Sequence, residues 1–436
     1  MQYTWWEIVI FVIGCVSFVS LLVVLFFPIG KGPSKFTYTG KIPGVGSADF
    51  APMLSQVLTL PWRDGNNIEI LKNGDAFLKS LLSDIDNAKS SINIMVYILT
   101  EGKMSDQIFE HLDQKLKDGV QVRIMYDSYG SKFHRPKDQL KAFEDLGGKV
   151  GVFHSFTITP WQLLKNQLRD HRKAFIIDGK IGYVGGMSID DHWLGNATNP
   201  KEYHDFMFRT EGPMAADIQG TFAELWSSMT AEIFSGSDFY PPNASNSISA
   251  KAGGLKYMAL TSTPSADSLA LQKFFLLSIL SAQHKLHITS PYFIPDPSLK
   301  DALIQKAKEG VDVEILVPNK LNDSKSVYYS SHASYKELLE GGVKIFEYQP
   351  TFNHSKTLLV DGVWSIIGSS NLDNRSRKLN EENVYGIYDK GFNAELEKIF
   401  EEDKGKAKEI ELPEWNRRGI WQHILENVAQ QFVVQY

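Results

Sequence analysis

HRKAFIIDGKIGYVGG, at residues 171–186, returns as HSKTLLVDGVWSIIGS at residues 354–369. Each copy opens with His-x-Lys, runs through apolar residues to Asp-Gly and ends at small residues. On a strand, residues two apart face the same side, so the His and the Lys of each copy project together. A single copy could arise by chance, but two copies at matching places of a repeat indicate a paired function.

Other phrases repeat in step with this pair. KLKDGVQVRIMYD (115–127) parallels KAKEGVDVEILVP (306–318), and FEDLGGKVGVF (143–153) parallels LLEGGVKIFEY (338–348). Helical and strand patterns alternate along the chain, so the repeat indicates an internal duplication of an α/β unit. We therefore expect two mixed-sheet α/β halves that face each other, with the active site between them.

The ends of the chain differ from this repeated body. Residues 8–27 carry no charge, and at about 1.5 Å per residue they are long enough to cross a bilayer core. A secretory signal peptide would need a positive start and a small-residue cleavage site, and neither is present. Lysines follow the apolar run, which places the body in the cytoplasm by the positive-inside rule.

The predicted organisation has five parts. They are a transmembrane anchor at 1–30, a linker rich in Gly, Pro and Ser at 31–61, a first half at 62–250, a second half at 251–410 and an amphipathic helix at 411–436.

Two apolar segments each allow two interpretations. The stretch 153–171 is longer than its counterpart 346–354. This aromatic insertion is either a loop that covers the core or a wall that receives acyl chains or touches the bilayer. The apolar face at 415–436 predicts a helix that either docks on the body or lies in a membrane interface, where Arg417 and Arg418 would help it.

Composition excludes some classes of protein. The net charge of -6 gives no basic footprint, which disfavours nucleic acid as a substrate. Cys15 is the one cysteine, so no intramolecular disulfide can form and a disulfide-stabilised extracellular domain is disfavoured.

The His-Lys pairs suit phosphodiester chemistry. An ammonium group binds anionic oxygens, and an imidazole beside it can attack phosphorus or move a proton. The candidate catalytic residues are therefore His171 and Lys173 in the first motif and His354 and Lys356 in the second.

The paired motifs resemble the phospholipase D superfamily, and the resemblance runs from about Ile68 to Ile410. Within it, YHDFMFRTEGP (203–213), SPYFIPD (290–296) and GSSNLDNRSRKLNEEN (368–383) are similar to bacterial cardiolipin synthases. The resemblance implies a duplicated phospholipase D fold, a cell-membrane enzyme without a cofactor, and phosphatidylglycerol and cardiolipin as lipid partners.

The resemblance also implies a role for each motif residue. His171 matches the nucleophile that forms a phosphohistidine, and His354 matches the group that protonates the leaving alcohol and then activates the acceptor. Lys173 and Lys356 match phosphate-binding lysines, and Asn371 matches a phosphate-contacting Asn.

The other implied residues are acids and one hydroxyl. Asp205 and Glu382 fall where the family places carboxylates that orient the imidazoles, while Asp178 and Asp361 resemble structural acids. Ser188 stands where the family usually has Asn, and a hydroxyl there still donates to phosphate with a shorter reach.

A second departure concerns the residue before the first motif. Asp170 stands where Asn is common, and its carboxylate would raise the pKa of His171 if it pointed inward.

No catalytic metal is predicted. His192, His204 and His332 lack an H-E-x-x-H or Cys/His spacing, so they do not form a recognisable ligand set.

These features predict a cardiolipin synthase that transfers a phosphatidyl group between two phosphatidylglycerol molecules. The first alternative is a hydrolytic phospholipase D that releases phosphatidic acid, and a nucleic-acid phosphodiesterase is the more remote one. A catalytically dead membrane scaffold is disfavoured because the His and the Lys are intact in both motifs.

Overall fold

The computed structural model describes residues 4–7, 11, 14–15, 35–154, 167–241, 254–264 and 269–430. The strands are β1 (Arg63–Lys72), β2 (Ser91–Val96), β3 (Gln121–Asp127), β4 (Lys149–Phe153), β5 (Arg169–Asp170), β6 (Ala174–Ile177), β7 (Ile181–Gly185), β8 (Phe206–Glu211), β9 (Leu255–Ser262), β10 (Lys285–Thr289), β11 (Asp312–Pro318), β12 (Lys344–Tyr348), β13 (Thr357–Val360), β14 (Trp364–Gly368), β15 (Asn380–Tyr388) and β16 (Ala407–Glu409). The helices are Phe50–Leu58, Asn73–Asn87, Lys103–Lys117, Lys137–Asp145, Pro213–Thr230, Ala270–Leu280, Pro297–Lys308, Lys325–His332, Tyr335–Glu340, Asn374–Lys378, Lys390–Lys404, Leu412–Trp415 and Ile420–Gln430.

The two halves share one strand pattern, as the internal repeat predicts. In the first half β2, β3 and β4 are parallel, and β6 and β7 add antiparallel strands beside β2. In the second half β10, β11 and β12 are parallel, and β13 and β14 follow in the same way. This is a mixed α/β fold, in which helices connect and cover the parallel strands.

Both Asp-Gly pairs form tight turns that anchor a neighbouring strand. Asp178 and Asp361 have positive φ angles of 53° and 50°, and the glycine after each is also positive. The Asp178 carboxylate accepts the backbone N–H groups of residues 89–91, which lead into β2. The Asp361 carboxylate accepts those of residues 283–285, which lead into β10. Each acid therefore fixes the turn of its motif to the central strand of its half.

The halves are hydrogen-bonded to each other as well as packed. β1 pairs with β8 of its own half and with β9, and β9 pairs in turn with β15, so the described strands form one continuous sheet. One buried apolar cluster also spans the halves, with the rings of Phe208 and Phe392 6.0 Å apart. The sequence predicted two sheets, and the pairing of β1 with β9 joins them at their edges.

Part of the predicted linker at 31–61 is structured. Its segment FAPMLSQVL forms the helix Phe50–Leu58, and Phe50, Leu54 and Leu58 lie in the core of the second half. Ahead of this helix, the Phe36 N–H donates to the hydroxyl of Ser298. The composition of this stretch indicated an extended connection, but its apolar residues at helical spacing decide the local structure.

Three other predicted segments fall wholly or partly outside the described residues. They are most of the apolar run at 8–27, the insertion between 155 and 166 and the chain beyond 430. Among the helices of the described residues, none is both long and apolar enough to span a bilayer.

The C-terminal helix Ile420–Gln430 is described and leaves its apolar face uncovered. Trp421 is 74% exposed and Ile424 is 42% exposed. On the opposite side, Arg418 pairs with Glu426, which is buried against His332. The side of the helix that faces the second half carries the buried Glu426 and Ala429, while its large apolar residues are exposed.

Candidate active site

A cavity of about 350 Å³ lies between the two halves. The predicted site residues that line it are His171, Lys173, Ser188, His354 and Asn371. The structure therefore brings both motifs to one place, although they are far apart along the chain.

His171 is held by a carboxylate of the other half. Its Nδ1 lies 3.1 and 3.2 Å from the two oxygens of Glu382. β5, which directly precedes His171, runs parallel to β15, and the His171 N–H donates to the Glu381 carbonyl. This pairing carries the first motif to the strand that bears Glu382.

His354 is held in the reciprocal way, by a carboxylate of the first half. Its Nδ1 lies 2.6 Å from an oxygen of Asp205, which belongs to the first half. The His354 N–H donates to the His204 carbonyl, and the His204 N–H donates to the Phe352 carbonyl. The Trp193 indole N–H donates to the same Asp205 oxygen, so the carboxylate is fixed from two sides.

These carboxylates select the tautomer of each ring. A carboxylate beside Nδ1 accepts the proton there and leaves the Nε2 lone pair for chemistry. Burial first, and then the nearby lysines, lower the pKa of His171 to about 4 and that of His354 to about 3, against the opposing effect of the carboxylates. Both imidazoles are therefore neutral at neutral pH in the absence of substrate.

The two carboxylates stay ionised. Burial raises the pKa of Glu382, but His171, Lys173 and the Ser369 hydroxyl outweigh it and hold the pKa at about 2. Burial acts on Asp205 in the same direction, and Lys356 and His354 again lower its pKa.

The lysines lie beside the imidazoles and are buried. Lys173 donates to the His171 carbonyl at 2.6 Å, and the Lys356 nitrogen is 3.1 Å from His354 Nδ1. Burial and the charge of Lys356 lower the pKa of Lys173 to about 7, and burial also lowers the pKa of Lys356. Lys173 lines the cavity, whereas Lys356 lines a separate small pocket and contacts His354. The two like charges repel each other, so an anion near them is stabilised.

Asn371 and Ser188 lie on the cavity wall, one from each half. The buried side-chain oxygen Oδ1 of Asn371 has no hydrogen-bond partner among the described residues. The Ser188 hydroxyl accepts the Ile98 N–H at 3.3 Å, which leaves its own proton able to donate into the cavity.

Asp170 does not point toward His171. Its carboxylate accepts the Arg172 side chain at 2.9 Å, and both residues are buried. The charge at this departure from the family pattern is therefore paired with an adjacent Arg, and the main causes of the lowered His171 pKa are burial and Lys173.

Other histidines that sequence reasoning weighed as metal ligands have separate partners. His204 is bound between Asn73 and Asp403 at 2.8 and 2.7 Å, and His332 is 3.2 Å from Glu347. His192 alone of the three lines the cavity, where it stacks on Tyr203.

The groups of possible metal ligands among the described residues lie elsewhere. Both contain His287, with Glu397 and Glu401 or with Asp312 and Glu314. Lysines already pair with acids of both groups, as Lys404 does with Glu314 at 2.7 Å.

Sequence reasoning missed several residues of the site. Ser369 and Asn380 both donate to Glu382, the latter at 3.2 Å. Tyr292 and Asp323 line the cavity beside the second motif. Asn380 and Ser369 lie in the quoted stretch 368–383, which offered a signal, whereas nothing in the local pattern around Asp323 marks it.

Comparison with known proteins gives consistent similarities. Residues 81–226 and 276–404 match the family described as "Cardiolipin synthase, PLD-like domain". Cardiolipin synthase 2 of Staphylococcus epidermidis is 33% identical over 366 residues, which cover 84% of this chain and 73% of that protein. The major cardiolipin synthase of Bacillus subtilis is 34% identical over 369 residues, or 84% of this chain and 75% of that protein.

Among solved structures, phosphatidylserine synthase of Haemophilus influenzae superposes with a TM-score of 0.67 at 16% identity. The superposition covers 88% of this chain and 97% of the phosphatidylserine synthase chain. At this identity the likeness concerns the fold alone, and it agrees with the duplicated α/β arrangement. Taken with the two motifs that meet in one cavity, these similarities show that the chain belongs to the cardiolipin synthase family of phospholipase D-like proteins.

Proposed function

We propose that the protein is a phosphatidyltransferase that makes cardiolipin and glycerol from two molecules of phosphatidylglycerol. The observation that carries the proposal is the pair of neutral imidazoles in one cavity, each with Nδ1 on a carboxylate of the opposite half. Buried Lys173 lines the same cavity, and buried Lys356 contacts His354. One imidazole can then attack phosphorus, while the other gives a proton to the leaving alcohol or takes one from the attacking alcohol.

In the first displacement, His171 Nε2 attacks the phosphorus of phosphatidylglycerol. The bond from phosphorus to the glycerol oxygen breaks, and His354 gives that oxygen a proton. His354 is neutral in the empty site, but an anionic phosphodiester beside it raises the pKa of the imidazole, so it gains this proton as substrate binds. Glu382 stabilises the positive charge that His171 acquires.

In the second displacement, a hydroxyl of another phosphatidylglycerol attacks the phosphohistidine. His354, now neutral, takes the hydroxyl proton, and the bond between phosphorus and His171 breaks. The proposed contacts for the phosphoryl oxygens, where negative charge grows, are Lys173, Asn371 and Ser188 on the cavity wall. Lys356, which contacts His354, is the fourth. The balance is one phosphodiester for another, and no cofactor or metal is required.

The hydrolytic alternative differs only in the acceptor. Water in place of the lipid hydroxyl would discharge the phosphohistidine to phosphatidic acid. The proposed wall against water is the insertion around Phe156 and Trp161, which lies outside the described residues.

The proposal includes a place in the cell. The apolar run at 8–27 would anchor the chain in the cell membrane as a single pass, with the body in the cytoplasm. Protease treatment of sealed inside-out vesicles should then digest the body, whereas protection there would place the body on the other side.

The decisive experiment is product analysis with purified enzyme in mixed micelles. Phosphatidylglycerol alone should give cardiolipin and free glycerol, and cardiolipin with excess glycerol should give phosphatidylglycerol back, because the exchanged bonds are of equal kind. A double variant, His171→Ala with His354→Ala, is the matched control for contaminating activity. Phosphatidic acid as the main product at high lipid density would favour the hydrolase, and cleavage of nucleic acid would favour the phosphodiesterase.

A further inference from the structure

The wall of the cavity beside His354 carries polar groups that the two displacements do not use. Asp323 lines the cavity, and both of its carboxylate oxygens accept one donor, the hydroxyl of Tyr292, at 2.7 and 2.9 Å. The backbone N–H groups of Asp323 and Ser324 also favour the charged carboxylate, and since a carboxylate has about four acceptor positions, room remains for a further donor.

Asp323 shares the cavity wall with aromatic rings that lie near His354. The Tyr203 ring lies 6.1 Å from the His354 ring, and the His192 ring stacks on Tyr203 at 5.0 Å. Asp323 contributes to the raised pKa of Tyr203, behind burial, and it opposes the lowering of the Lys356 pKa. The carboxylate is therefore within electrostatic range of the residues around His354.

The other acids of the wall are already engaged. Asp373 accepts the Ser376 N–H at the start of a helix. Asp190 accepts Thr100 and the backbone N–H of His192. Asp190 and Asp373 each cap a helix, whereas Asp323 caps none and has as its side-chain partner the Tyr292 hydroxyl, which itself lines the cavity.

The reacting alcohol has the complementary chemistry. In the proposed mechanism His354 exchanges a proton with the alcohol in both displacements. The departing glycerol and the attacking headgroup therefore bind in turn against the same wall of the cavity. The headgroup of phosphatidylglycerol carries a middle hydroxyl next to the one that reacts. A carboxylate is a strong acceptor for such a group, and neighbouring phenol groups can donate to its oxygen.

We propose that Asp323, supported by Tyr292 and Tyr203, forms a subsite that binds the middle hydroxyl of the glycerol headgroup. This inference rests on the proposed phosphatidyl transfer. The subsite holds the non-reacting hydroxyl while the terminal one faces His354, so it selects a polyol over a simple alcohol and aligns the nucleophile.

The test uses a donor whose leaving group lacks hydroxyls. Phosphatidyl-p-nitrophenol reports formation of the phosphohistidine through nitrophenol release. Glycerol and 1,3-propanediol then compete as acceptors, because they have the same two terminal hydroxyls and differ only in the middle one. The unaltered enzyme should favour glycerol by about tenfold or more, the scale of one hydrogen bond to a charged group.

Asp323→Asn should bring the ratio of glycerol to propanediol products close to one, with nitrophenol release retained. Tyr292→Phe should lower the ratio less, because it leaves the carboxylate in place. Asp138→Asn, an exposed acid outside the cavity, is the matched control and should keep the full ratio.

Each other outcome counts against the subsite. Equal use of the two acceptors by the unaltered enzyme overturns it, and so does an unchanged ratio in a folded Asp323→Asn variant. Preference for ethanolamine over glycerol would mean that the carboxylate binds a cationic headgroup instead. Absence of nitrophenol release from the unaltered enzyme would refute the phosphatidyl transfer itself, which is a separate failure and removes the subsite with it.

Discussion

At the scale of single residues, the site depends on the protonation states of four groups. Two imidazoles are kept neutral by burial and lysine charge, while two carboxylates remain ionised beside them. In the proposed mechanism, these states prepare His171 as the nucleophile and His354 as the proton carrier.

The two histidines should fail in different ways when they are removed. His171→Ala should abolish turnover and leave no phosphohistidine. His354→Ala should also lower turnover by at least about 10²–10⁴-fold, the range for loss of a general acid-base group, yet still form the adduct with an activated nitrophenyl donor. Mass spectrometry of acid-sensitive phosphopeptides measures this, and an adduct on His354 instead would reverse the assignment.

The pH dependence should reveal the buried lysine. The folded-state pKa of Lys173 lies at about 7, below its ordinary 10.5, so the ammonium form is lost as pH rises through neutrality. We expect kcat/KM to fall between about pH 6 and about pH 9, because binding of the phosphate needs that charge. A flat profile over this range for the unaltered enzyme would contradict the expectation.

At the scale of elements, short helices outside the repeat have distinct tasks. The helix Phe50–Leu58 fills the core of the second half, where the Phe50 ring packs edge-on against Trp364 with 5.4 Å between centroids. The helix Ile420–Gln430 has the opposite character, with its apolar residues directed outward.

Phe50→Ala should lower the free energy of unfolding by about 3–5 kcal/mol, the usual cost of removing a buried aromatic ring. Val57→Ala on the same helix is the control, since Val57 is 45% exposed and its change should cost less than about 0.5 kcal/mol. Denaturant titration followed by circular dichroism measures both. Equal, small effects would mean that the helix does not contribute to the core.

The C-terminal helix should contact lipid. In a chain that lacks residues 1–30, Trp421→Ser with Ile424→Asn should reduce binding to phosphatidylglycerol vesicles by about tenfold, because burial of apolar side chains drives interfacial attachment. Gln422→Ala, on the same helix, should not. Vesicle sedimentation gives the comparison, and unchanged binding in the double variant would assign membrane contact to other parts of the chain.

At the scale of the whole molecule, the motifs predicted the site better than the local patterns predicted its surroundings. His171, Lys173, His354 and Lys356 were identified because strand spacing and repetition act within short stretches of sequence. The meeting of the motifs followed from the duplication. The duplication did not predict that Glu382 of the second half holds His171, or that Asp205 of the first half holds His354. Both contacts depend on long-range pairing of strands.

Long-range packing also explains what the sequence left undetermined. Gly, Pro and Ser between 31 and 61 indicated a linker, but burial of Phe50 against the second half outweighs that local preference. Asp323 belongs to a loop with no motif, and only the fold brings it to the cavity that His354 lines. Features decided by contacts between distant residues remain hidden in one sequence.

Because each half supplies the carboxylate that holds the other half's imidazole, the order of synthesis affects when the site can form. The ribosome completes the first half before it synthesises β15. A nascent chain at this stage contains His171 without Glu382, and Asp205 without His354. Such a chain has neither ring in its working tautomer. If these residues act as proposed, we expect catalytic competence to begin only when the second copy of the repeat folds onto the first.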